Sequence, residues 1–364
     1  VQTALLLIVG LVLLVGGAEL MIRGAARLAV ATGLSPLVVG LTVVAFGTSA
    51  PELAIGVDAA LRGAPAIAVG NVVGSNIANV LLILGLSALV APLLVARQLI
   101  RLDVPLMLAV SVLIMLLALD GRIGRVEGGA LVLMAVAYTA FVVRLARRES
   151  AAARAAAAQA PEPAVRTVWW RDLALVIVGL VLLVLGARAL VSAAVSIALS
   201  LGVSELVVGL TVVAVGTSLP EIAASALATL RGQGEMAVGN VVGSNIFNLS
   251  VVLGASAAVA DGGMPVSAAA RTFDLPVMTA VAFACLPIFF TGHRIARWEG
   301  GLFLGYYVAY TAYLLLDGTG HDAAPLLARA MMGFVLPLTA ITLAVVTVRA
   351  WHLRRGDRAL SGRG

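Results

Sequence analysis

One block of this sequence occurs twice. Residues 38–85 read VVGLTVVAFGTSAPELAIGVDAALRGAPAIAVGNVVGSNIANVLLILG, and residues 207–254 read VVGLTVVAVGTSLPEIAASALATLRGQGEMAVGNVVGSNIFNLSVVLG. The offset is 169 without a gap, and 31 of the 48 positions are identical. Any fold for this chain must therefore house two equivalent units. The identities fall on Gly, Thr, Ser, Pro, Glu and Asn as well as on aliphatic residues. A duplication kept for packing alone would let Leu, Ile, Val and Ala exchange freely and would have no use for carboxylates. Weaker echoes lie outside the block: Arg101, Asp103 and Pro105 against Arg271, Asp274 and Pro276, and EGG at 127–129 against 299–301.

The solvent around those units follows from the scarcity of charge. Of 364 residues, 62% are hydrophobic and 12% charged, with a mean hydropathy of +1.10. A soluble surface needs roughly a quarter of its residues charged, so the solvent is lipid. Long Leu/Val/Ala runs without period-two alternation argue against an outer-membrane barrel. At ~20 apolar residues per span, Gly, Pro and charged breaks divide the chain into eleven segments. They lie near 3–31, 34–61, 66–95, 102–119, 126–146, 172–200, 204–230, 235–260, 273–291, 299–316 and 326–349. The reading is an all-α membrane protein with eleven predicted transmembrane helices. Its opening, VQTALLLIVG, has neither a positive n-region nor a cleavage site and reads as the first span, not a signal peptide. Cys285 is the single cysteine and lies in an apolar run, so no internal disulfide is expected.

Each copy belongs to a unit of five segments. An odd number makes the second unit enter the membrane from the opposite side, which predicts an inverted-topology repeat of 5+5 helices plus one extra C-terminal helix. Such repeats build transporters with a site at the midplane between the halves. The first half covers 1–146 and the second 172–316, with the extra helix and a tail over 317–364. Residues 147–171 read as an Ala/Pro/Arg-rich linker closed by the interfacial anchor Trp169 and Trp170.

All 24 basic residues are arginine. In this topology six of them (Arg62, Arg122, Arg125, Arg188, Arg271 and Arg329) share a side with the N-terminus, and 18 lie opposite. That bias predicts a multi-pass protein of the cell inner (plasma) membrane, with the N-terminus outside and the linker and C-terminus cytoplasmic. The net charge of +6 is then a topology signal, with no nucleic-acid partner implied.

Within the repeat, GTSAPE contributes Thr48, Ser49, Pro51 and Glu52, and GTSLPE contributes Thr217, Ser218, Pro220 and Glu221. On a helix, spacings of three and four put Thr, Ser and Glu on one face. Each proline cannot donate to the carbonyl four residues back, at Gly47 or Gly216, so the helix should break beside the carboxylate. Broken helix within a membrane is tolerated only where it is buried in protein or lines a cavity. The next segment adds Asn71, Ser75 and Asn79, mirrored by Asn240, Ser244 and Asn248. Together these are oxygen donors with no cysteine or histidine beside them, which argues against zinc, copper and iron. Hard cations fit: calcium takes 6–8 oxygens, sodium suits the same donors, and a buried carboxylate without a cation leaves proton coupling open.

Other polar positions have plainer readings. Gly70, Gly74, Gly239 and Gly243 form small-xxx-small pairs suited to helix contact, and Asn76 and Asn245 read as packing. Glu19 reads as part of a structural ion pair. Asp58, whose counterpart is Leu227, should not be a core ligand, and His293, His321 and His352 receive no role. No nucleophile beside a histidine and no phosphate loop points to an enzyme, and no resident cofactor is expected.

The paired blocks resemble the two α-repeats of the calcium/cation antiporter superfamily, the sodium/calcium exchangers, and most closely its prokaryotic branch. The resemblance covers residues 3–316 and rests on GTSxPE and GNVVGSNIxN, each present twice and in order. It implies ten core helices in two inverted halves, with helices two, three, seven and eight enclosing four ion sites. By similarity, calcium is held by Glu52 and Glu221 with carbonyls near Ala45, Thr48, Ala214 and Thr217. Sodium sites add Ser49, Ser218, Ser75, Ser244 and the level of Asn79 and Asn248. Spans one and six would slide as the gate for alternating access.

Many relatives, notably potassium-dependent ones, carry Asp where Asn248 stands, so potassium-independent exchange is expected; the eleventh span lies outside the ten-helix pattern. The resemblance thus implies an antiporter of sodium and calcium that exports calcium, embedded in a lipid bilayer. A proton/calcium antiporter of the same fold is the alternative, with a cation channel as a more distant rival.

Overall fold

The computed structural model describes residues 2–156, 169–202 and 214–342, together with positions 207, 212, 344, 345 and 348. The chain folds almost wholly into helices. Among the described residues, eight are long and apolar enough to cross a membrane: Thr3–Thr32, Pro65–Val90, Leu99–Asp120, Arg125–Arg148, Trp169–Ser200, Gly234–Val259, Ala270–Phe290 and Ala324–Thr342. A ninth span is broken, its parts Pro36–Thr48 and Ala50–Leu61 meeting at 44°. The tenth predicted segment is the helix Arg297–Gly318, made less apolar by Tyr306, Tyr307, Tyr310 and Tyr313. The seventh is described from Ala214, as Ala214–Thr217 and Leu219–Leu230; most of positions 203–213 lie outside the described residues.

Burial sorts these helices into a centre and a periphery. Pro65–Val90 and Gly234–Val259, which carry the GNVVGSN motifs, are 78% buried, whereas Arg125–Arg148 is 22% buried. The outer helices turn Leu5, Ile8, Val12 and Leu133 outward. An apolar exterior around a polar-bearing centre is the arrangement lipid requires. The last span, Ala324–Thr342, is only 6% buried; it is tied to the bundle where the Tyr306 hydroxyl bonds the Thr339 hydroxyl, with the Val335 carbonyl 3.4 Å away.

Two sequence expectations change at the helix ends. The fifth helix runs to Ala156 and the sixth starts at Trp169, so the segment expected as a linker over 147–171 is helical at both edges. Runs such as ESAAARAA consist of strong helix formers, and their polarity ends the span without ending the helix. Residues 157–168 lie outside the described residues, as do most of the tail beyond Thr342.

Glycine sets how close the halves approach. The first helix, Gln2–Thr32, packs antiparallel on Trp169–Ser200. Gly10 sits against Gly186 and Leu190, Gly17 against Gly179 and Leu183, and Gly24 against Asp172 and Val176. A Cβ on Gly179 would lie 2.5 Å from the Met21 nitrogen, so the two backbones touch directly. The pair at Gly239 and Gly243 does the same against Leu37 and Leu41, as the small-xxx-small reading anticipated. No such contact forms at Gly70 or Gly74 among the described residues.

Two short antiparallel ladders, absent from the all-α reading, join loops of the two halves. Leu93–Leu94 pairs with Arg294–Ile295, and Arg122–Ile123 pairs with Met264–Pro265. The echoed aspartates also find matching roles. Asp103 accepts from the Tyr138 hydroxyl at 2.8 Å and the Gln98 amide at 3.2 Å, and Asp274 accepts from Tyr310 at 3.3 Å. Each ties the start of one helix to a neighbouring long helix. Glu19 is an ion-pair member, as expected, bonded to Arg23 and Arg231, and Asp58 pairs with Arg62 at 2.8 Å.

Candidate ion-binding site

Both GTSxPE motifs break their helices where proline predicts. Ala45–Thr48 ends at Ser49 (φ −87°, ψ 5°) and the chain resumes as Ala50–Leu61; Ala214–Thr217 ends at Ser218 (φ −90°, ψ 6°) and resumes as Leu219–Leu230. Pro51 and Pro220 fall in the first turn of the new helix, where a missing N–H costs nothing. Glu52 and Glu221 fall in the same first turns, at the partly positive end of the helix dipole. Each of these helices closes through a left-handed glycine, Gly63 (φ 70°) and Gly232 (φ 73°). The Ala64 and Gln233 amides reach back to Ala59 and Ala228 at 2.8 Å.

The GNVVGSN helices, Pro65–Ala78 and Gly234–Phe247, lie beside these breaks and end at Asn79 and Asn248. From those asparagines the backbone widens into π turns, Asn79–Leu84 and Asn248–Val252. A π turn inserts an extra residue into the helical repeat and frequently marks a functional site. Another, Gly40–Val44, precedes Ala45.

The side chains expected at the site are buried together. Thr48, Ser49, Glu52, Ser75, Asn79, Ser218, Glu221, Ser244 and Asn248 are each at most 4% exposed; Ala45 is buried, Thr217 half-buried, and Ala214 heads its short helix. Hydrogen bonds cross between the copies. The Ser49 hydroxyl donates to Glu221 Oε1 at 3.1 Å, Thr48 donates to Asn240 Oδ1 at 3.3 Å, and Asn79 Nδ2 donates to Asn245 Oδ1 at 3.0 Å. Ser49 thereby links the Glu221 carboxylate to the helix break that carries Glu52.

Among the described residues, several buried oxygens in this set have no hydrogen-bond partner: Glu52 Oε2, Glu221 Oε2, Ser218 Oγ, Ser244 Oγ, Asn79 Oδ1 and Asn248 Oδ1. Leaving buried polar atoms unpaired is costly, and a cation satisfies several oxygens at once. Among the described residues no group of three or more His, Cys, Asp or Glu forms a metal cluster. The donor set is thus two carboxylates supplemented by neutral oxygens, which suits hard cations.

Sequence reading left Ser225, Asn245 and Met107 out of this set. Ser225 Oγ accepts from Asn240 Nδ2 at 2.9 Å, and Asn245 Nδ2 contacts the Asn76 carbonyl at 3.4 Å and Met107 Sδ at 3.5 Å. Ser225 sits where the first copy has Gly56. That mismatch between otherwise matching blocks was the available signal.

The sequence matches the profile of the sodium/calcium exchanger protein family over residues 3–144 and 172–316, the two stretches that contain the copies. The chain belongs to the sodium/calcium exchanger family. It is 34% identical over 348 residues to the sodium/calcium exchanger MaX1 of Methanosarcina acetivorans, a match covering 85% of this chain and 97% of that one. It is 37% identical over 316 residues to the inner membrane protein YrbG of Escherichia coli, covering 85% and 95%. Among solved structures, it is similar to the sodium-calcium exchanger NCX_Mj soaked with 2.5 mM Na+ and 0.1 mM Ca2+. That match has a TM-score of 0.73 at 31% identity over 86% of this chain and 98% of that one. This exchanger-family chain is thus a multi-pass membrane protein, and MaX1 and NCX_Mj, to which it is similar, are exchangers by name.

Proposed function

We propose that the protein is a secondary-active antiporter that exchanges sodium for calcium by alternating access and moves calcium out of the cytoplasm. The observation that carries this reading is the pair Glu52 and Glu221. Each is buried at a helix break, supplied by one copy of the repeat, and has an oxygen without a partner among the described residues. Two carboxylates balance the charge of one calcium ion, while sodium ions take the same oxygens singly. Calcium would use Glu52, Glu221 and carbonyls at Ala45, Thr48, Ala214 and Thr217. Sodium would add Ser49, Ser218, Ser75, Ser244, Asn79 and Asn248. Coupling follows from cost: two bare carboxylates at membrane depth disfavour an unloaded switch between faces.

The reading includes an inverted 5+5 helix repeat with one added helix, the N-terminus outside. It is supported by the antiparallel packing of Gln2–Thr32 on Trp169–Ser200 and by the reciprocal use of loops. The loop after the third span of one half pairs with the loop after the fourth of the other, and the reverse holds in the second ladder. Asn248, with no third carboxylate at that level, supports independence from potassium.

The test is radiocalcium flux into proteoliposomes with sodium, potassium and proton gradients imposed separately. Flux driven by sodium alone is expected. Flux that follows only a proton gradient would replace sodium by protons in the mechanism, potassium stimulation would remove the potassium-independent part, and uncoupled flux would favour a channel.

A further inference from the structure

The two copies share every asparagine of the GNVVGSNIxN motif, yet the structure uses them differently. The Asn76 carbonyl is backbone and can only accept. Asn245 Nδ2 points at it, at 3.4 Å, and at Met107 Sδ, also an acceptor, at 3.5 Å. Both groups require the nitrogen of Asn245, which fixes its Oδ1 on the opposite side, toward Asn79. Asn79 must then present Nδ2 to it, at 3.0 Å, leaving Asn79 Oδ1 buried and without a partner. A backbone carbonyl in one copy thus sets the orientation of a ligand amide in that same copy, relayed through the other copy.

The mirror relay is not made. The counterpart of Asn245 is Asn76, and the counterpart of Asn79 is Asn248. Asn76 turns its Nδ2 to its own Val72 carbonyl at 2.7 Å, and its Oδ1 has no partner among the described residues. Among the described residues neither Asn248 Nδ2 nor Asn248 Oδ1 has a hydrogen-bond partner. We propose that Asn245 is a positioning residue for ion binding: it holds the Asn79 amide with its oxygen toward the transported cation, whereas Asn76 gives Asn248 no such hold.

This rests on the cation-binding reading above. Asn79 is then a preset oxygen ligand, since an amide nitrogen turned toward a cation would repel it. Asn248 is free to rotate between oxygen and nitrogen, so the two repeat-related positions are unequal.

The experiment compares Asn245→Ala and Asn76→Ala in sodium-driven radiocalcium flux, with equilibrium calcium binding measured on the purified protein. Loss of a hydrogen bond that fixes a ligand should raise the calcium KM of N245A about tenfold, with kcat changed by no more than about twofold. N76A, which keeps its backbone carbonyl, should stay within about twofold of the parent on both counts. A second pair separates orientation from packing, because Asp at position 79 presents an oxygen whichever way it turns. N79D/N245A should therefore bind calcium at least as tightly as N79D. This pair also decides the matter if N245A alone does not fold. Parent-like KM in N245A, an equal rise in N76A, or a further loss in the double variant would each overturn the proposal. If the parent protein carries no calcium at all, the transport reading fails, while cation binding to the same variants still tests the asymmetry.

Discussion

The Ser49 hydroxyl donates to Glu221 Oε1 at 3.1 Å, so a helix break in one copy of the repeat supports the carboxylate of the other. A hydrogen bond to a charged group is worth about 1.5–3 kcal/mol. Ser49→Ala should accordingly weaken calcium binding by about tenfold or more, measured as the calcium KM of sodium-driven flux. Glu52, which receives no such bond from Ser218, should be less sensitive to Ser218→Ala in calcium binding, although sodium dependence should shift.

Glu52→Gln and Glu221→Gln should each abolish exchange while the protein still folds. The amide keeps the shape and removes one of two like charges buried near each other. The ion-free variants should then be at least as resistant to thermal unfolding in detergent as the parent. Calcium at a hundredfold above its dissociation constant should stabilise the parent by about 2.7 kcal/mol and leave the variants unchanged. Wild-type flux in either variant would remove these residues from the site.

Asn248→Asp should add a third carboxylate at the level of Asn79. A carboxylate there needs a cation or a proton, so calcium flux in the variant should acquire a dependence on pH or potassium that the parent lacks. Lowering the pH protonates the new carboxyl and makes it resemble the amide, so the variant should approach parent behaviour as pH falls. A pH series of flux at fixed sodium gradient measures this.

Gly179→Ala places a methyl 2.5 Å from the Met21 nitrogen and 2.6 Å from the Gly17 carbonyl oxygen. Forcing the two helices apart should cost about 1–3 kcal/mol in stability and lower the maximal flux. Gly16→Ala, with nothing within 4 Å, should be neutral or slightly stabilising, since alanine favours a helix by about 1 kcal/mol. Thermal unfolding and flux of the two variants, measured side by side, separate helix propensity from the contact.

The helix breaks at Ser49 and Ser218 were legible because proline dictates backbone chemistry whatever surrounds it. The buried polar cluster was legible because oxygen-bearing residues at two equivalent positions are hard to explain in lipid otherwise. The π turns at Asn79 and Asn248 were not, since an i→i+5 hydrogen bond leaves no mark in hydrophobic periodicity. Nor was the way Asn245 is bonded. The residues that lead up to it, AVGNVVGS, are identical to those before Asn76, while the contact with Met107 and the direction of one carbonyl tell the two apart. The fifth helix outran its expected end because apolarity locates a span, whereas helix propensity locates where the backbone uncoils.

The ladders that join the loops also set a timetable for the ribosome. Leu93 waits for Ile295, roughly two hundred residues downstream, and at about 5–20 residues per second this takes about 10–40 s. Over that interval the nascent first half stands in the bilayer with Glu52, Thr48 and Asn79 lacking the neighbours that later enclose them. The half-made chain is therefore the stage most exposed to quality-control proteases, and a stall between the two copies should be more damaging than one after Ile295.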